Sequence, residues 1–402
     1  MNWIALSVPF FLVMMYLEYY ISKSLQKQTH DMHSTMSNIS IGIAERICDT
    51  LITGYFFFIY QYLHKHYAIF SISNNIYTWI FLLFLTDFIW YWYHRLAHEW
   101  NIFWSVHIVH HQSEDFNYTV SARITVLQAL VRTSFWAFIP ILGFPAEMIS
   151  TMLLLHGLYP FFIHTSLVKD LGIFEYFLVT PSHHSVHHAS NPEYLDKNYG
   201  DVFIIWDKIF GTFKKIDPAI QIKYGLTSPL RSYSFLWQHF HFFIELSIAI
   251  RNTNGFINKI KLLFKKPDSI PYKCRIEANQ TFGIVPVKAH IPSNINRYVA
   301  GQLLFLLVLL FLFILLEKYV TTFFCFAILL IVLLTLINCC AILERKRWIF
   351  YLEISRLIVM ISSIFYYFDI PIFPICLSIS LLLTIFNLNE LKRRYLQLVY
   401  NL

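Results

Sequence analysis

Charged residues are scarce in this sequence. They account for 14% of its 402 residues, whereas hydrophobic residues account for 57%. Ordinary soluble domains contain about 25% charged and about 45–50% apolar residues. The composition therefore excludes an ordinary soluble domain and predicts an all-α, polytopic transmembrane protein. The net charge of +7 is modest and its basic residues are dispersed between apolar runs, so we expect no nucleic-acid partner.

Cysteine is also scarce, and its pattern excludes several kinds of site. The six cysteines contain no C-x-x-C pair and mostly lie in apolar runs, so we predict neither a cysteine metal site nor a disulfide framework. The sequence lacks iron–sulfur cysteine spacing and a flavin-type G-x-G-x-x-G motif. Redox chemistry would therefore need electrons from a diffusible cofactor or a partner protein. A small-residue cleavage site is also missing, so we expect the first apolar stretch to be a retained anchor.

Long apolar runs are abundant. About nine of them are close to the roughly 17–25 residues that span a bilayer as a helix. The predicted spans are Trp3–Tyr20, Ile47–Leu63, Ile76–Tyr93, Val126–Phe144, Met148–Ile163, Gln302–Leu316, Thr321–Ile342, Trp348–Tyr367 and Ile370–Phe386. The segment Phe235–Ile250 is also apolar, but it contains His239, His241 and Glu245, so we predict that it lies at the membrane interface.

Basic residues between the spans predict the orientation, because Lys and Arg are enriched in cytoplasmic loops. If the basic clusters within 23–46, 251–275, 345–347 and 392–394 all face the cytosol, the intervening spans alternate correctly. The histidine-rich segments 94–111 and 184–188 then face the cytosol too. We expect the membrane to be a bacterial inner membrane or the endoplasmic reticulum. Four regions are predicted: 1–75 (N-terminal spans), 76–234 (histidine-rich), 235–294 (interfacial helix and basic linker) and 295–402 (four C-terminal spans).

Histidines are concentrated at the ends of predicted spans. His94 and His98 are four residues apart, so on a helix both imidazoles lie on one face, one turn apart. The pattern H-x-x-H-H then occurs twice. Its members are His107, His110 and His111 in the first copy and His184, His187 and His188 in the second. Eight neutral imidazoles can surround two adjacent metal ions and leave positions for oxygen. Imidazole suits iron, copper and zinc, and the pattern alone does not choose among them.

A single histidine at an interface commonly packs or caps a helix, but eight clustered imidazoles need another explanation. Ionisable groups near hydrocarbon are costly unless they bind a partner. His164, in FFIHTS, is a candidate ninth ligand. His183 adjoins the second H-x-x-H-H segment but breaks its spacing, so we expect it beside a ligand histidine and not on the metal. We predict that His239 and His241 are interfacial.

These histidine motifs resemble those of the fatty acid hydroxylase superfamily of membrane di-iron enzymes, which includes sterol desaturases. The surrounding segments are similar to those of the alkylglycerol monooxygenase family. They are DFIWYWYHRLAHEWNIFW, HHQSEDFNYTVSARITVLQ, HTSLVKDLGIFEYFLVTPSHHSVHH, DKNYGDVFIIWDKIFGTF and YGLTSPL, within residues 87–213 and 224–230. The histidine motifs alone indicate the superfamily, whereas SEDFN and the segment from Asp196 onward point to the subgroup.

The resemblance implies an integral-membrane monooxygenase that uses O2, a non-haem di-iron centre and tetrahydrobiopterin. Alkylglycerol monooxygenases hydroxylate the ether-bearing carbon of glyceryl ether lipids, and the resulting hemiacetal collapses to a fatty aldehyde and a glycerol derivative. Residues 76–234 would then be the catalytic region, with a membrane lipid as substrate. By matching motif positions, the iron ligands would be His94, His98, His107, His110, His111, His184, His187 and His188.

Acidic residues near the motifs are further candidates. Glu99 matches a family motif position, where it would orient a ligand imidazole or the pterin. Asp87 lies two helical turns before His94 on the same face, and we predict a hydrogen bond from it to a ligand histidine. Glu114 and Asp115 either approach the cofactor or cap a helix. The last histidine motif is followed, at a distance that allows the chain to fold back to the metals, by Asp196, Asn198 and Tyr199. The residues that we expect to pack at the interface are Trp206, Phe210 and Phe213.

Two other functions stay open at this point. A fatty-acid or sterol hydroxylase or desaturase would share the metal site and receive electrons from a redox partner protein. A metal transporter or sensor would use the imidazoles as a relay. Transport sites usually lie near the bilayer midplane on broken helices, whereas these histidines lie at span ends. Metal content measured together with oxygen uptake separates the classes, because a transporter consumes no O2.

Overall fold

The computed structural model describes residues 3–285, 293–346, 348–367 and 373–400. Most of these residues are helical and none forms a strand, and their extended backbone pairs only in isolated bridges. The helices before residue 286 are α1 (Trp3–Ser24), α2 (Met32–Tyr67), α3 (Ile76–Glu99), α4 (Asn101–His107), α5 (Tyr118–Ser121), α6 (Gln128–Phe135), α7 (Ile139–Leu142), α8 (Ala146–Ile163), α9 (Pro181–His187), α10 (Ile205–Ile209), α11 (Phe235–Arg251), α12 (Phe256–Leu263) and α13 (Tyr272–Thr281). Those after residue 292 are α14 (Ser293–Leu316), α15 (Thr322–Leu343), α16 (Ile349–Tyr367), α17 (Phe373–Phe386) and α18 (Leu388–Tyr400). Short 3-10 helices form at Ile108–Gln112, Gly172–Tyr176, Pro267–Ser269 and Glu317–Tyr319.

Five helices of the described residues are long and apolar enough to cross a membrane. They are Ala5–Ser24, Ile76–Glu99, Ala146–Ile163, Asn294–Tyr319 and Thr322–Leu343. Each overlaps a span predicted from the sequence, so the prediction of an all-helical membrane protein is confirmed. The full set of nine spans is not, and the predicted span Ile370–Phe386 falls partly outside the described residues.

The predicted span Val126–Phe144 is not one continuous helix. It is divided into α6, with eight residues, and α7, with four. At a rise of about 1.5 Å per residue, α6 is about 12 Å long, well short of the roughly 30 Å hydrocarbon core. Arg132 in α6 donates to Asp49 of α2 at 2.6 Å, so this segment packs on protein. Part of the apolar composition of 126–144 reflects burial inside the protein, as at Ala129, Trp136 and Ile139.

The helix α2 also differs from its prediction. It has 36 residues and begins at the N-cap Asp31, whose side chain accepts from the backbone N of Ser34. The predicted span Ile47–Leu63 is only its C-terminal half. The other half buries polar side chains, among them Ser37, Asn38 and Glu45, against the rest of the protein. A helix with a polar, buried half packs within a folded unit instead of standing alone in lipid.

Two compact units can be distinguished. The larger comprises residues 11–230 and 238–285. Its core packs α3 and α8 through side chains such as Leu82, Ile89, Trp136 and Ile149. This packing fixes the C-terminal ends of both helices, where the histidine-rich segments begin and where His164 follows α8.

The second unit comprises the described residues of 1–10, 231–237 and 286–402. Although its helices are apolar, it buries an ion pair in which Arg356 donates to Glu353. Arg356 also donates to Gln302 at 2.8 Å, and the hydroxyl of Tyr298 donates to Glu353 at 2.6 Å. Charged groups in apolar surroundings are stable only when they are paired and hydrogen-bonded. The polar network therefore cross-links α14 with α16.

Candidate metal centre

All nine candidate ligand histidines lie in the larger unit and are buried. His94 and His98 occupy the last turns of α3, and His107 ends α4. The 3-10 helix Ile108–Gln112 carries the two neighbouring histidines of the first H-x-x-H-H motif, and α9 with its C-cap carries the second motif. His164 directly follows α8. Helix ends converge here, so the imidazoles project from rigid segments.

The nine imidazoles form two groups. The five-histidine pocket contains His94, His98, His107, His111 and His187. The four-histidine pocket contains His110, His164, His184 and His188. Within each pocket, one ring nitrogen from every member lies within 4.8 Å of one ring nitrogen from every other member. The structure thus brings together all eight motif histidines and the ninth candidate, His164.

Helical spacing explains how the motifs divide. The three pairs separated by four residues each stay in one pocket, because positions i and i+4 share a helix face. These pairs are His94 with His98, His107 with His111, and His184 with His188. The remaining member of each H-x-x-H-H motif, His110 or His187, points to the opposite pocket. Each H-x-x-H-H segment therefore serves both pockets.

The distances between ring nitrogens match a shared metal ion. In the four-histidine pocket, Nε2 of His164 lies 2.9 Å from Nε2 of His184, 3.1 Å from that of His110 and 3.2 Å from that of His188. In the five-histidine pocket, Nε2 of His107 lies 3.1 Å from that of His94. Metal–imidazole bonds of about 2.0–2.1 Å place ligand nitrogens about 2.9–3.4 Å apart at angles of 90–109°.

Hydrogen bonds on the far side of the rings define the tautomers. Nδ1 of His94 donates to the carbonyl of Tyr199 at 2.8 Å, and Nδ1 of His187 donates to the carbonyl of Lys197 at 2.9 Å. In the other pocket, Nδ1 of His164 donates to the carbonyl of Pro160 at 2.5 Å. A carbonyl can only accept, so each Nδ1 holds the proton and each Nε2 carries a lone pair.

The His110 ring is oriented in the same way, because its Nδ1 donates to the carbonyl of Arg123 at 3.2 Å. The Nε2 lone pairs of His110 and His164 therefore face each other across 3.1 Å. In the other pocket, the buried Nε2 atoms of His98 and His187 have no hydrogen-bond partner in the described part of the chain. Converging lone pairs repel one another unless a cation lies between them. The donor set thus fits a bound metal ion in each pocket.

Burial keeps these imidazoles neutral. It lowers the pKa of His164 to about 4 and that of His187 to about 3. Burial, followed by the neighbouring imidazoles, lowers the pKa of other members outside the spans well below the ordinary value; these are His107, His110, His111, His184 and His188. A neutral imidazole is the form that binds a metal, so the site is ready for metal at neutral pH.

The loop from Asp196 to Asp207, which is buried at Asn198–Asp201, supplies the carbonyls that orient two ligands of the five-histidine pocket. The carboxylate of Asp207 accepts from the backbone N of Tyr199 and of Gly200, at 2.8 Å each. A side chain at Gly200 would collide with the carbonyl of Phe203 and with Asp207. The loop is thus closed tightly on itself. As a result, the positions of the carbonyls that receive the imidazole protons are fixed.

Asp87 holds the same loop from the side of α3. Its carboxylate accepts from the backbone N of Val202 at 2.9 Å, from that of Phe203 at 3.2 Å and from the indole N of Trp206 at 2.8 Å. These partners are not ligand histidines, so the hydrogen bond predicted from the sequence is not the one that the structure has. Asp87 therefore contacts the loop, and the loop in turn contacts the ligand histidines.

A third buried cluster, formed by Asp87, His156 and Asp201, was not anticipated from the sequence. Nδ1 of His156 lies 2.6 Å from the Asp201 carboxylate and 3.8 Å from that of Asp87, and its Nε2 contacts the hydroxyl of Thr86 at 2.8 Å. A signal was present, because a histidine within the apolar run of α8 is unusual. The cluster joins α3, α8 and the loop, so it anchors the loop to two spanning helices.

The other acidic candidates lie nearer the surface. Glu99 pairs with Arg95 at 3.0 Å, one helical turn earlier on α3. Asp115 accepts from the backbone N of Asp31 at 2.9 Å, beside the start of α2, and burial raises its pKa. Glu114 is exposed and packs against Gly225. The structure therefore places none of these three carboxylates within either pocket.

Of the three residues after the last histidine motif that could return to the pockets, Tyr199 has a side chain that contacts pocket histidines. The Tyr199 ring lies 6.0 Å from the ring of His94 and 5.4 Å from that of His98. Asn198 donates to the carbonyl of His183 at 3.0 Å, and Asp196 pairs with Lys266 on the surface. Two of the three predicted packing residues pack on α3, because Trp206 contacts Phe88 and Phe210 stacks on Tyr91. Phe213 instead lies beside His183 of α9.

His239 and His241 were predicted to be interfacial, but both are buried, at 1% and 0% exposure. The same turn of α11 carries Gln238, which accepts from the buried side chain of Arg123. Arg123 also donates to the carbonyl of Val109 at 2.8 Å. Arg123 thus ties α11 to the turn that holds the first H-x-x-H-H motif. Nothing in the spacing of the sequence singled out this arginine.

Comparison with known proteins agrees with this geometry. Residues 79–212 match the family model described as fatty acid hydroxylase. This range contains every histidine of the two pockets and the Asp196–Asp207 loop. The matched family model and the histidine clusters together fit a non-haem iron centre.

More particular similarity is found among curated proteins. The chain is 36% identical over 278 residues to alkylglycerol monooxygenase of Homo sapiens, an alignment that covers 68% of this chain and 62% of that protein. It is 34% identical over 282 residues to the Xenopus tropicalis protein of the same name, covering 68% and 61%. Lathosterol oxidase of Homo sapiens is 27% identical over 150 residues, or 37% of this chain and 48% of that protein.

The chain thus spans about three-fifths of the length of the alkylglycerol monooxygenases that it matches. No solved structure shows significant similarity to it. The resemblance stated from the motifs is confirmed, both for the fatty acid hydroxylase domain and for similarity to alkylglycerol monooxygenases.

Proposed function

We propose that this protein is an iron-dependent membrane monooxygenase that cleaves alkylglycerol ethers with O2 and tetrahydrobiopterin. The observation that carries the proposal is the pair of all-imidazole pockets, with four and five converging histidines. The similarity to alkylglycerol monooxygenases supports the choice of reaction. The products would be a fatty aldehyde and a glycerol derivative, because the hydroxylated ether carbon is a hemiacetal that collapses.

The two pockets would each hold one iron ion, and bound iron would supply the O2-dependent oxidation chemistry. The protein's own contribution is to fix the ligands. Carbonyls of Pro160, Lys197 and Tyr199 accept the Nδ1 protons and aim Nε2 of the attached imidazoles inward. Asp87 and Asp207 would act as positioning residues, because they hold the loop that carries two of these carbonyls.

The substrate would lie with its glycerol head beside the histidines and its alkyl chain among the spanning helices. The chain supplies most of the binding free energy, about 0.8 kcal/mol per buried CH2. It is present in ester and ether lipids alike, so it gives little discrimination between them. The discriminating atom is the carbon next to oxygen, which carries hydrogens in an ether and is a carbonyl carbon in an ester.

The pterin would bind at the polar, cytosolic side of the histidine layer. Glu114 and Asp115 are the acidic groups proposed to approach it, and Glu99 is a third candidate. Two of these carboxylates have protein partners, Asp115 with Asp31 and Glu99 with Arg95. A pterin role for either would therefore require exchange of those partners. If a redox protein delivers the electrons instead, it would dock on this same side.

The remaining topological predictions belong to this proposal. They are the predicted spans beyond the five long apolar helices, with the exception of Val126–Phe144, together with cytosolic basic loops and four regions that end at residues 75, 234, 294 and 402. Tags placed after Lys27 and after Arg394 are expected to report the cytosolic side, and a tag at Asn74 the opposite side. A cytosolic signal from position 74 would contradict the proposed orientation.

The proposed reaction is tested by product analysis in membranes that contain the protein. A 1-O-alkylglycerol is expected to yield fatty aldehyde only when both O2 and tetrahydrobiopterin are present. The acylglycerol of the same chain length is expected to yield none. Membranes containing the His110→Ala variant serve as the control for background aldehyde.

The second candidate function is hydroxylation or desaturation of a fatty acid or sterol. It is favoured by the weaker similarity to lathosterol oxidase and to an ornithine lipid hydroxylase of Rhizobium tropici. Hydroxylated or desaturated lipid formed without any pterin, with the alkylglycerol left intact, would establish it and contradict ether cleavage.

A further inference from the structure

The short helix α12 exposes a row of large apolar side chains. Phe256 is 77% exposed, Ile257 67%, Phe264 49% and Ile260 41%. Single exposed apolar residues are normal on protein surfaces, but a contiguous group on one short segment marks an interaction site. This group lies within the larger unit, in the chain segment that follows α11.

The apolar side of α12 faces outward, whereas an ordinary surface helix turns its apolar side toward the protein. At about 100° per residue, the four exposed apolar side chains fall within one stripe roughly 100° wide. Leu262, which is buried, projects from the opposite side. Leu262 therefore packs toward the protein, while the broader apolar stripe lies on the exposed side of the helix.

Lysines flank the outward stripe. Lys261 and Lys265 are exposed and Lys259 is half-buried, so positive charge borders the apolar stripe. Residues 252–267 contain no Asp or Glu. A protein surface that uses mixed charges for solubility would not leave such a segment without acids. The combination of an apolar stripe and lysine borders is typical of helices that lie in the headgroup layer of a membrane.

The helix is bonded firmly to the segment that carries the metal ligands. Asn101, which is fully buried at the start of α4, donates from its side chain to the carbonyl of Leu262 at 2.8 Å and from its backbone N to the carbonyl of Lys265 at 2.9 Å. The ring of Trp100 contacts that of Phe264 edge-on at 5.1 Å. Six residues after Asn101, α4 ends at His107 of the five-histidine pocket.

We propose that α12 is an interfacial docking helix whose partner is the anionic lipid of the leaflet on the histidine side. Its apolar stripe enters the boundary between headgroups and acyl chains, and Lys259, Lys261 and Lys265 lie against lipid phosphates. Because Asn101 joins α12 to α4, docking also sets the depth of the His107 turn relative to the headgroups. The inference concerns the surface of the larger unit and does not depend on which lipid is oxidised.

The test uses the full-length protein reconstituted in vesicles. An environment-sensitive fluorescent amino acid replaces Ile257, and its quenching by lipids brominated near the top of the acyl chain is measured. The vesicles contain either phosphatidylcholine alone or phosphatidylcholine mixed with phosphatidylglycerol. We expect blue-shifted emission and strong quenching in the mixed vesicles, with weaker quenching in phosphatidylcholine.

Charge is tested in the same labelled protein. Each lysine near an anionic surface contributes about a fivefold factor to the ratio of docked to undocked helix. The triple variant Lys259→Gln, Lys261→Gln, Lys265→Gln is therefore expected to lower that ratio more than tenfold in mixed vesicles. The matched control, Lys214→Gln, Lys215→Gln, Lys223→Gln, removes the same charge from exposed positions elsewhere in the larger unit and is expected to leave quenching unchanged.

Two outcomes overturn the proposal. A label at position 257 that stays in water in both kinds of vesicle shows that α12 does not enter the membrane and leaves its stripe to a protein partner. Quenching that is equal in both kinds of vesicle, and unaffected by the triple variant, shows that anionic lipid is not the partner of α12. Neither outcome bears on the aldehyde assay, so this proposal and the proposed reaction fail independently.

Discussion

The two histidine pockets are adjacent and share two sequence motifs, yet they are built differently. One has five imidazoles and the other four. In the five-histidine pocket, the proton-accepting carbonyls of Lys197 and Tyr199 belong to a loop. In the four-histidine pocket, those of Pro160 and Arg123 belong to the end of α8 and to the turn after α5.

The difference concerns both coordination and rigidity. A six-coordinate ion in the four-histidine pocket would have two positions not occupied by protein, whereas an ion in the other pocket would have one. The five-histidine pocket depends on a loop, and the loop in turn depends on buried carboxylates such as Asp87 and Asp207. The pocket with more ligands thus relies on outlying hydrogen bonds, whereas the pocket with fewer ligands is held by helix ends.

The largest effect is expected from removing His110. This ligand of the four-histidine pocket comes from the turn His107–His111, which supplies ligands to both pockets. His110→Ala leaves three imidazoles in the four-histidine pocket, so we expect loss of one metal ion per chain and of all turnover. Elemental analysis and the aldehyde assay measure both quantities. His66→Ala, at an exposed position outside the pockets, is the control. A His110→Ala protein with full activity would remove this residue from the site.

Removing one ligand from either pocket tests whether the number of imidazoles determines metal affinity. His164→Ala leaves three imidazoles of four, whereas His98→Ala leaves four of five. We therefore expect the His164 variant to lose its metal to a chelator at a lower chelator concentration than the His98 variant does. Equal losses from both variants would show that the numbers of ligands do not govern affinity here.

A smaller effect is expected from the loop that holds the five-histidine pocket. Asp207→Asn weakens the bonds to the backbone N of Tyr199 and Gly200. Loss of such an outlying partner typically lowers metal affinity 10–100-fold. We expect one of the two metal ions to dissociate more readily and the other to be unaffected, as measured by stepwise chelation. Asp217→Asn, at an exposed position, is the control, and equal weakening of both ions would contradict the division into two pockets.

The smallest expected effect is on the acid stability of the metal-free protein. The folded pKa of His164, about 4, lies below the unfolded value of about 6.5. The unfolded chain therefore binds a proton that the folded chain does not. This residue's contribution to stability is complete above about pH 6.5, declines as the pH falls to about 4, and declines no further below that.

The measurement is the midpoint of thermal unfolding between pH 7 and pH 4. We expect it to fall by several degrees across this range. Protonation begins with His164 before His187, whose pKa is about 3. The His164→Gln variant, which has no group to titrate there, is expected to show a smaller fall. The same fall in both proteins would place the acid sensitivity elsewhere.

The spanning helices and the membership of the site could be predicted from local information. Apolar runs identify α3 and α8, and the spacing of four residues identifies imidazoles on a common face. Whether two such pairs meet in one pocket depends on contacts between distant segments. His94 contacts His187, which is 93 positions further along the chain, for example, and no local pattern encodes that contact.

The parts that could not be predicted share a physical cause. Buried polar groups are satisfied by partners far away in the sequence, as Arg123 is by Gln238 and Asp87 by Val202. The run 126–144 has the composition of a span, but its Arg132 bonds to Asp49 and its helix is interrupted. Hydropathy reports that a segment avoids water and does not distinguish lipid from protein as its surroundings.

The turn His107–His111 has a consequence for how the centre assembles. It supplies two imidazoles to one pocket and one to the other, so both pockets draw on the order of a single turn of chain. The order of that turn, which is stabilised by the hydrogen bond from Arg123 to the carbonyl of Val109, is therefore common to both pockets. A displacement of the turn is expected to weaken the binding of both metal ions, whereas a displacement of the Asp196–Asp207 loop weakens the binding of one.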